Sequence, residues 1–317
     1  MFFTVTIQTH NNADTLDITL RHLRALQCPE QVDYEILVVD NNSSDGTSHV
    51  IRRHAELLRP RMRSVFEPQQ GLSHARNRAL REAQGNVVCF VDDDVIVDPR
   101  WLHAMSAAFA GYSADVVGGR SYLILPDKGP QWLSPLAEGL LSRLDYGDSP
   151  LVNTDKDLYG LNFAVRRELA VDLGGFRTDL GRCGRSLACG EESDLLNRVR
   201  KHGGIVVYEP AAVVGHLVKP ERLSKRWLLR RAYAGAVATE RLSIERGQIC
   251  STARLAVHCM RCCASVCKSV LWRRDTAVEL FEKQYHAAYS LGRLTATLSS
   301  RCSRKSPVLP ERLMCTQ

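Results

Sequence analysis

The sequence lacks a long uninterrupted apolar run. Its best candidate is broken by Arg254, His258, Arg261 and Lys268, whereas a helix that spans a bilayer needs about 20 consecutive apolar residues. The N-terminus also lacks a basic segment, an apolar segment and a cleavage site, because the strand-like run MFFTVTIQT begins at once. We therefore expect a cytoplasmic protein in which the 11 cysteines are reduced thiols.

Glycine-rich phosphate-binding loops are missing as well. A dinucleotide-binding Rossmann fold places Gly-x-Gly-x-x-Gly after its first strand, but QTHNNADTL contains no glycine. No P-loop occurs either. The segment VVDNNSSDGT fails as an EF-hand loop, since the sixth position counted from Asp40 is Asp45 and not glycine. These absences exclude three common kinds of nucleotide or calcium site.

A zinc site is not indicated, although four cysteines lie close together. The segment CMRCCASVC follows His258 and contains Cys259, Cys262, Cys263 and Cys267. Structural zinc sites usually use two separated ligand pairs. Spacing of i, i+3, i+4 and i+8 is typical of one face of a helix, so we interpret these cysteines as small packing residues.

What is present suits a large folded domain with an appendage. The chain has 317 residues, of which 44% are hydrophobic, so it can bury a full core. Its 42 basic and 35 acidic residues give a net charge of +7. That charge is compatible with nucleic acid, a membrane surface or phosphorylated ligands. No motif that combines aromatic and basic residues is present, so nucleic acid is not an expected partner.

Apolar strand candidates alternate with amphipathic helical segments. The strand candidates are VTIQT, YEILVVD, RSVFE and NVVCFVD, and the helical segments are 14–26, 47–58, 73–83 and 99–109. This alternation predicts an α/β fold with a parallel sheet covered by helices on both faces. Ligands of such sheets bind beyond the carboxyl ends of the strands. The polar residues at those ends are Thr9, His10, Asn11, Asp40 and Asp92 to Asp94.

Three consecutive carboxylates end the fourth strand candidate. Asp92, Asp93 and Asp94 follow the apolar run NVVCFV. Like charges so close together raise one another's pKa unless a cation or hydrogen-bond donors compensate them. We therefore expect a positive group at this end of the sheet.

Six segments in this order resemble family 2 glycosyltransferases with the GT-A fold. They are TIQTHNNADTL, EILVVDNNSSDGT, GLSHARNRALREAQGNVVCFVDDDV, LYGLNFAVRRE, GEESDLLNRVRKHG and VVGHLVKPERLSKRWLLRRAYAGA, and they cover roughly residues 4–235. The resemblance implies an α/β fold of the GT-A (Rossmann-like) type, a mostly parallel sheet flanked by helices. It also implies a catalytic domain that we place over 1–220. Beyond it, the sequence predicts a helical extension over 221–300 and, because Pro307 and Pro310 lie among basic and polar residues, a flexible tail over 301–317.

The implied activity is the metal-dependent, inverting transfer of one sugar from a nucleotide-sugar to an acceptor hydroxyl. UDP is the expected nucleotide, because the family uses it most often. The acceptor would be a carbohydrate or lipid-linked molecule in polysaccharide or glycolipid biosynthesis. Processive members carry Gln-x-x-Arg-Trp together with transmembrane helices, whereas LSKRW here has Leu223 at the first position, which favours transfer of one sugar at a time.

The resemblance also assigns the donor site. Thr9, Asn11 and Asp40 would hold the nucleoside, Arg76 would add to the nucleotide pocket, and Asp92 would face the ribose. Asp94 and His216 would coordinate Mn²⁺ or Mg²⁺, and Asp93 could take either role. From its position alone, a histidine after an apolar strand is more often a packed core residue. Mn²⁺ accepts a mixed set of carboxylate and imidazole ligands well.

A catalytic base is expected at the start of the helix in CGEESDLLNRV. Glu191, Glu192 and Asp194 are the candidates, although acidic residues also favour a helix N-terminus through the helix dipole. The resemblance implies that the second acidic residue, Glu192, is the base, and the choice among the three stays open. Asn162 would lie near the acceptor and the donor sugar, or it would satisfy a backbone turn.

The segment after residue 220 predicts an amphipathic helix. Its apolar stripe would be Leu229, Ala232, Tyr233, Ala236 and Val237, with Lys225, Arg226, Arg230 and Arg231 on and beside the other face. Such a charged run is usually a solvated face. A basic amphipathic helix can also rest on an anionic membrane surface, which would suit a lipid-linked acceptor. Both interpretations stay open.

Two other classes share parts of this pattern. A sugar-phosphate nucleotidyltransferase would have a related sheet, but it requires a glycine-rich basic loop after the first strand, which QTHNNADTL does not provide. A non-catalytic nucleotide-sugar-binding protein would keep Asp40 and Asp92 without needing an acidic helix start. Glu191, Glu192 and His216 together favour the enzyme.

Overall fold

The computed structural model describes residues 1–184, 186–246, 257, 259–260, 264 and 275–303. The chain forms two compact units. The first comprises Met1–Ile124, Ser142–Asp179 and Glu191–Val218. The second comprises Leu125–Leu141, Leu180–Gly190 and the described residues from Lys219 onward. Two segments that precede residue 220 therefore belong to the second unit.

Nine strands and nine α-helices can be delimited in the described parts of the chain. The strands are β1 Phe2–Thr9, β2 Asp33–Asp40, β3 Met62–Phe66, β4 Val87–Asp92, β5 Val95–Val97, β6 Val116–Ile124, β7 Leu151–Val152, β8 Asn162–Arg166 and β9 Val206–Leu217. The helices are α1 Ala13–Arg24, α2 Thr47–Leu57, α3 Leu72–Glu82, α4 Trp101–Gly111, α5 Pro135–Leu140, α6 Arg167–Asp172, α7 Glu191–Lys201, α8 Lys225–Glu245 and α9 Ala277–Ser303. The four helices predicted between residues 14 and 109 are all present, with ends shifted by one or two residues.

All nine strands belong to one sheet in the first unit. Its order is β3-β2-β1-β4-β8-β6-β9-β5, and β7 pairs with β9. Strands β1 to β4 are parallel to their neighbours within that group, as predicted. The sheet becomes mixed beyond them, because β8 is antiparallel to both β4 and β6. The predicted α/β fold is confirmed.

The core of the first unit lies on both faces of the sheet. In β4, Val87, Cys89 and Val91 pack on the face that contacts α1 and α4, whereas Val88 and Phe90 pack on the opposite face. Successive side chains of a strand point to opposite faces. This arrangement explains why the strand is apolar without alternation, as expected for a sheet covered on both sides.

The second unit is built mainly from α8 and α9. Glu240 of α8 is fully buried and accepts hydrogen bonds from Arg293 Nε (2.7 Å) and Thr297 Oγ1 (3.3 Å) of α9. The helices approach closely at Gly292, where a Cβ atom would lie 2.4 Å from the Tyr233 carbonyl oxygen. A buried ion pair and a glycine contact therefore fix how the two helices pack.

The predicted stripe of α8 is confirmed only in part. Ala232 and Ala236 are buried, but Leu228 is buried where Leu229 was expected, and Leu229, Tyr233 and Val237 are half-buried. No helix within the described residues is long and apolar enough to cross a membrane. His258, Cys262, Cys263 and Cys267 of the cysteine cluster lie outside the described residues, as do residues 304–317 of the predicted tail.

Candidate functional site

The carboxyl ends of the central parallel strands meet at one edge of the sheet. Thr9 at the end of β1 lies opposite Asp40 at the end of β2. On the other side of β1, Gln8 lies opposite Asp92 of β4. The strand register therefore brings together residues that are up to 84 positions apart along the chain. This confirms that the polar groups predicted at the strand ends share one edge.

The loops after β1 and β2 are tied together by hydrogen bonds. Asn11 adopts a left-handed backbone conformation with φ of 49°, which asparagine tolerates better than most residues. Its Oδ1 accepts a hydrogen bond from the Ser44 amide at 2.7 Å. The Asp40 Oδ1 accepts from the Ser43 amide at 3.0 Å. Asn11 and the end of β2 at Asp40 are thus linked through the loop that contains Ser43 and Ser44.

Asp93 is half-buried between two other carboxylates, Asp92 and Asp94. Its Oδ1 accepts a hydrogen bond from Asn12 Nδ2 at 2.6 Å. Burial, followed by the charge of the neighbouring Asp94, raises the pKa of Asp93 to about 7. Asn12 was not among the predicted site residues, although its position three residues after the end of β1 was a signal. An added cation near these carboxylates would favour their ionised forms.

Asp94 and His216 are brought together by the pairing of β5 with β9. Val95 lies opposite His216, and the Leu217 amide donates to the Asp94 carbonyl oxygen at 2.8 Å. As a result, Asp94 Oδ2 lies 3.5 Å from His216 Nε2. Both residues are buried, with exposed fractions of 3% and 4%.

These two side chains fit a divalent cation as a pair of protein ligands. A carboxylate oxygen and an imidazole nitrogen suit Mn²⁺, and both atoms converge at the acidic edge of the sheet. Within the described ranges, no group of three or more His, Cys, Asp or Glu residues forms a metal site. A cation held there would therefore need further ligands from a bound molecule, as is usual where substrate phosphates are bound.

Arg76 is buried and faces carboxylates. It is 1% exposed, and its Nη1 donates to Glu192 Oε1 at 2.8 Å and to Glu191 Oε1 at 3.0 Å. Its Nη2 lies 3.7 Å from Asp92 Oδ1. The guanidinium therefore connects the start of α7 with the end of β4. Arg76 was predicted to lie in the nucleotide pocket, and its contacts with both glutamates were not predicted from the sequence.

The two glutamates differ in their electrostatics. Burial, followed by the charge of Glu192, raises the pKa of Glu191 to about 8. Burial alone would raise the pKa of Glu192 too, but the Arg76 charge offsets it and the pKa lies below its ordinary value. Near neutral pH, Glu192 is therefore the ionised member of the pair. A general base must be ionised to accept a proton.

Asp194 and Asn162 use their polar atoms inside the protein. Asp194 Oδ2 accepts from Arg198 Nε at 2.8 Å, one turn along α7. Asn162 Oδ1 accepts from Trp101 Nε1 at 2.8 Å, and its amide nitrogen donates to the carbonyl oxygens of Arg120 (2.9 Å) and Ala212 (2.8 Å). Both amide hydrogens of Asn162 are thereby used. These contacts hold Asn162 between the strands, and its predicted place beside a ligand stays a prediction.

Gly160 lies where a larger residue would not fit. A Cβ atom at this position would be 2.1 Å from both Arg76 Nη2 and Glu192 Oε1. Phe176, which sequence reasoning did not single out, packs its ring centroid 5.4 Å from the Arg76 guanidinium carbon. No motif marked Phe176, because its role depends on packing across the first unit.

Comparison with known proteins gives a consistent result. The family model described as "Glycosyl transferase family 2" matches residues 4–174. The succinoglycan biosynthesis protein ExoM of Rhizobium meliloti (strain 1021) is 28% identical over 233 residues, which cover 72% of this chain and 71% of ExoM. Glycosyltransferase AglE of Haloferax volcanii is 24% identical over 247 residues, 77% of each chain.

A solved structure extends the comparison to the fold. The mannosyltransferase PcManGT from Pyrobaculum calidifontis, in complex with GDP-Man and Mn²⁺, superposes with a TM-score of 0.59 at 22% identity. The alignment covers 97% of this chain and 76% of that chain. This likeness confirms the predicted GT-A fold.

Proposed function

The chain belongs to glycosyl transferase family 2, and from that premise we propose that it transfers a single sugar, with inversion, from a nucleotide-sugar to an acceptor hydroxyl. The observation that carries this proposal is the contact between α7 and the strand ends through Arg76. It brings the ionised Glu192 carboxylate to the edge of the sheet where Asp40 and Asp92 lie. A base and a donor site are thereby adjacent.

The residues divide the reaction between them. Thr9, Asn11 and Asp40 hold the nucleoside, and Asp92 faces the ribose. Glu192 removes the proton from the acceptor hydroxyl, whose oxygen forms a bond to the anomeric carbon as the bond to the nucleoside diphosphate breaks. Asp94 and His216 would hold Mn²⁺ or Mg²⁺, which when bound supplies positive charge against the departing diphosphate. Asp93 either joins the ribose contacts or supports the same cation.

UDP is the proposed nucleotide, with GDP as the competing choice. The proposal of UDP rests on the general usage of the family. PcManGT was solved with GDP-Man, so its likeness in fold makes GDP the first alternative to test. The nucleobase would be distinguished by the loops after β1 and β2, which contain Asn11 and Asp40.

The acceptor is proposed to be a growing polysaccharide or a glycolipid. ExoM is named for succinoglycan biosynthesis, which supports a polysaccharide. From residue 219 onward the chain has 19 basic and 7 acidic residues, a net charge of +12, whereas residues 1–218 carry a net charge of −5. Such a concentration of positive charge would favour contact with an anionic membrane surface on the cytoplasmic side, where a lipid-linked acceptor is found.

A thermal-shift panel tests the donor site. UDP, GDP, dTDP and CMP would each be added with and without Mn²⁺, because a ligand that binds only the folded protein raises its melting temperature. We expect one nucleotide to stabilise the wild type, and only when Mn²⁺ is present. Asp94→Asn should lose that metal-dependent shift. Glu192→Gln should keep the shift but lose transfer, so normal turnover by Glu192→Gln would rule out the proposed base.

A further inference from the structure

One buried cation stands at the centre of three carboxylates. Arg76 Nη1 contacts Glu191 and Glu192 together, and Nη2 lies 3.7 Å from Asp92. Only 2% of the Arg76 side chain is exposed, compared with 18% for Glu192 and 38% for Asp92. Glu192 and Asp92 therefore reach the solvent side of the cluster, whereas the guanidinium and Glu191 lie behind them.

The guanidinium is enclosed by protein groups. Its carbon lies 5.9 Å from the centroid of the Phe90 ring and 5.4 Å from that of Phe176. Gly160 approaches so closely that a Cβ atom would lie 2.1 Å from Nη2. Aromatic faces attract a guanidinium and fix its plane. Arg76 is thus held in one orientation by contacts that involve no ligand.

We propose that Arg76 is a positioning residue for Glu192 and does not bind the nucleotide. This inference rests on the proposed function and deepens it, because it assigns a second residue to the proton-accepting group. Glu191 Oε1 and Glu192 Oε1 share the same nitrogen, Arg76 Nη1. A change at Nη1 therefore moves both carboxylates.

The charges around Glu192 determine what loss of the cation would do. Arg76 from α3 faces it, Glu191 precedes it on α7, and Asp92 of β4 lies beyond the guanidinium. Removing Arg76 would leave Glu192 among carboxylates in a buried setting. Both burial and like charges disfavour an ionised carboxylate. The acid limb of the pH–rate profile would then move to higher pH.

Three variants of α3 separate the alternatives. Arg76→Met removes the cation, Arg76→Lys retains it without the fork of donors, and Arg78→Met is the matched control. Arg78 lies two residues further along α3, is half-buried and pairs with Glu82 at 3.0 Å. For each variant, kcat against pH, KM for the donor, and the Kd of the nucleotide with Mn²⁺ would be measured.

For Arg76→Met we expect kcat at neutral pH to fall at least about tenfold, with the acid limb displaced upward by about one pH unit. The nucleotide Kd should change by less than about threefold, which corresponds to less than about 0.65 kcal/mol of binding free energy. Arg76→Lys should return the acid limb towards the wild-type position. Arg78→Met should match the wild type in all three measurements.

The opposite pattern would overturn the proposal. If Arg76→Met weakens nucleotide binding about tenfold while kcat at saturating donor and its pH profile stay unchanged, Arg76 belongs to the donor site. Should Arg76→Met fail to fold, Gly160→Ala provides the test, because it displaces the Arg76–Glu192 pair without removing either charge. It should lower kcat and spare the nucleotide Kd, and the reverse result would again refute the positioning role. A wild type that binds no nucleotide and transfers no sugar would instead contradict the proposed function itself.

Discussion

Replacement of Asn162 by alanine should destabilise the first unit strongly and leave nucleotide affinity nearly unchanged. Asn162 is 1% exposed and makes three hydrogen bonds, with Trp101 Nε1 and with the carbonyl oxygens of Arg120 and Ala212. Those partners come from α4, β6 and β9. The Asn162 side chain therefore connects β8 with α4, β6 and β9.

The expected magnitude follows from these partners. A buried polar group that loses its partner costs about 1–2 kcal/mol, and Asn162→Ala deprives three such groups. We expect the free energy of unfolding to fall by about 3–5 kcal/mol. Trp101→Phe removes the Nε1 contact and also part of a fully buried ring, so it should cost at least about 2 kcal/mol. The double variant should cost less than the sum of the two by about 1 kcal/mol, because both variants break the same hydrogen bond.

Urea denaturation followed by far-ultraviolet circular dichroism would measure these differences, and it does not depend on Trp101 fluorescence. Nucleotide affinity in the presence of Mn²⁺ would be determined on the same samples. If Asn162→Ala unfolds within about 0.5 kcal/mol of the wild type but loses nucleotide affinity, the structural role is refuted. The position beside a ligand that the sequence suggested would then be correct.

Two further predictions concern the acidic start of α7. Asp194→Asn should keep kcat within a factor of about three and cost about 1 kcal/mol of stability. The cost is small because Arg198 still donates to the carbonyl oxygens of Leu173 and Gly175. Loss of transfer in a steady-state assay would instead identify Asp194 as the base. The pKa of Glu191 is about 8 in the folded protein, against an ordinary value of 4.5. Between these two pH values the folded state keeps a proton that the unfolded chain has lost. The free energy of unfolding should therefore decline as the pH rises, by up to about 1.4 kcal/mol per pH unit. Glu191→Gln cannot ionise and should flatten this decline in urea titrations between pH 5 and 8, whereas an unchanged slope would contradict the assignment.

The parallel half of the sheet could be predicted because its physical causes are local. Each of the first four strands is an apolar run followed by an amphipathic helical segment, and a parallel arrangement follows from that alternation. The position of Asp40 and Asp92 at one edge then follows from the strand ends alone. Their neighbours in register, Thr9 and Gln8, needed only the correct strand order.

The antiparallel half could not be derived in the same way. Strand β8 lies between β4 and β6, and the segment NFAVR contains no signal that it is antiparallel to both neighbours. The consequences for Asn162 depend on that insertion, because its partners lie on other elements. From sequence alone, a short polar residue at the start of a strand is equally compatible with stabilising a turn and with contacting a ligand. Only its packing in the fold distinguishes the two roles.

Several residues of the segment that matches the family model contact residues beyond that segment. The matched segment ends at residue 174, before Glu191, Glu192 and His216. Arg76 lies inside that segment, yet its strongest contacts are with two glutamates outside it, and Asp94 inside it faces His216 outside it. The matched segment alone would leave the buried guanidinium without its two glutamate partners, with only Asp92 at 3.7 Å, and loss of partners from a buried charge is costly. The first unit therefore needs α7 and β9 to complete the edge of the sheet that the matched segment builds, and these two elements also contain the proposed base, Glu192, and the proposed metal ligand His216.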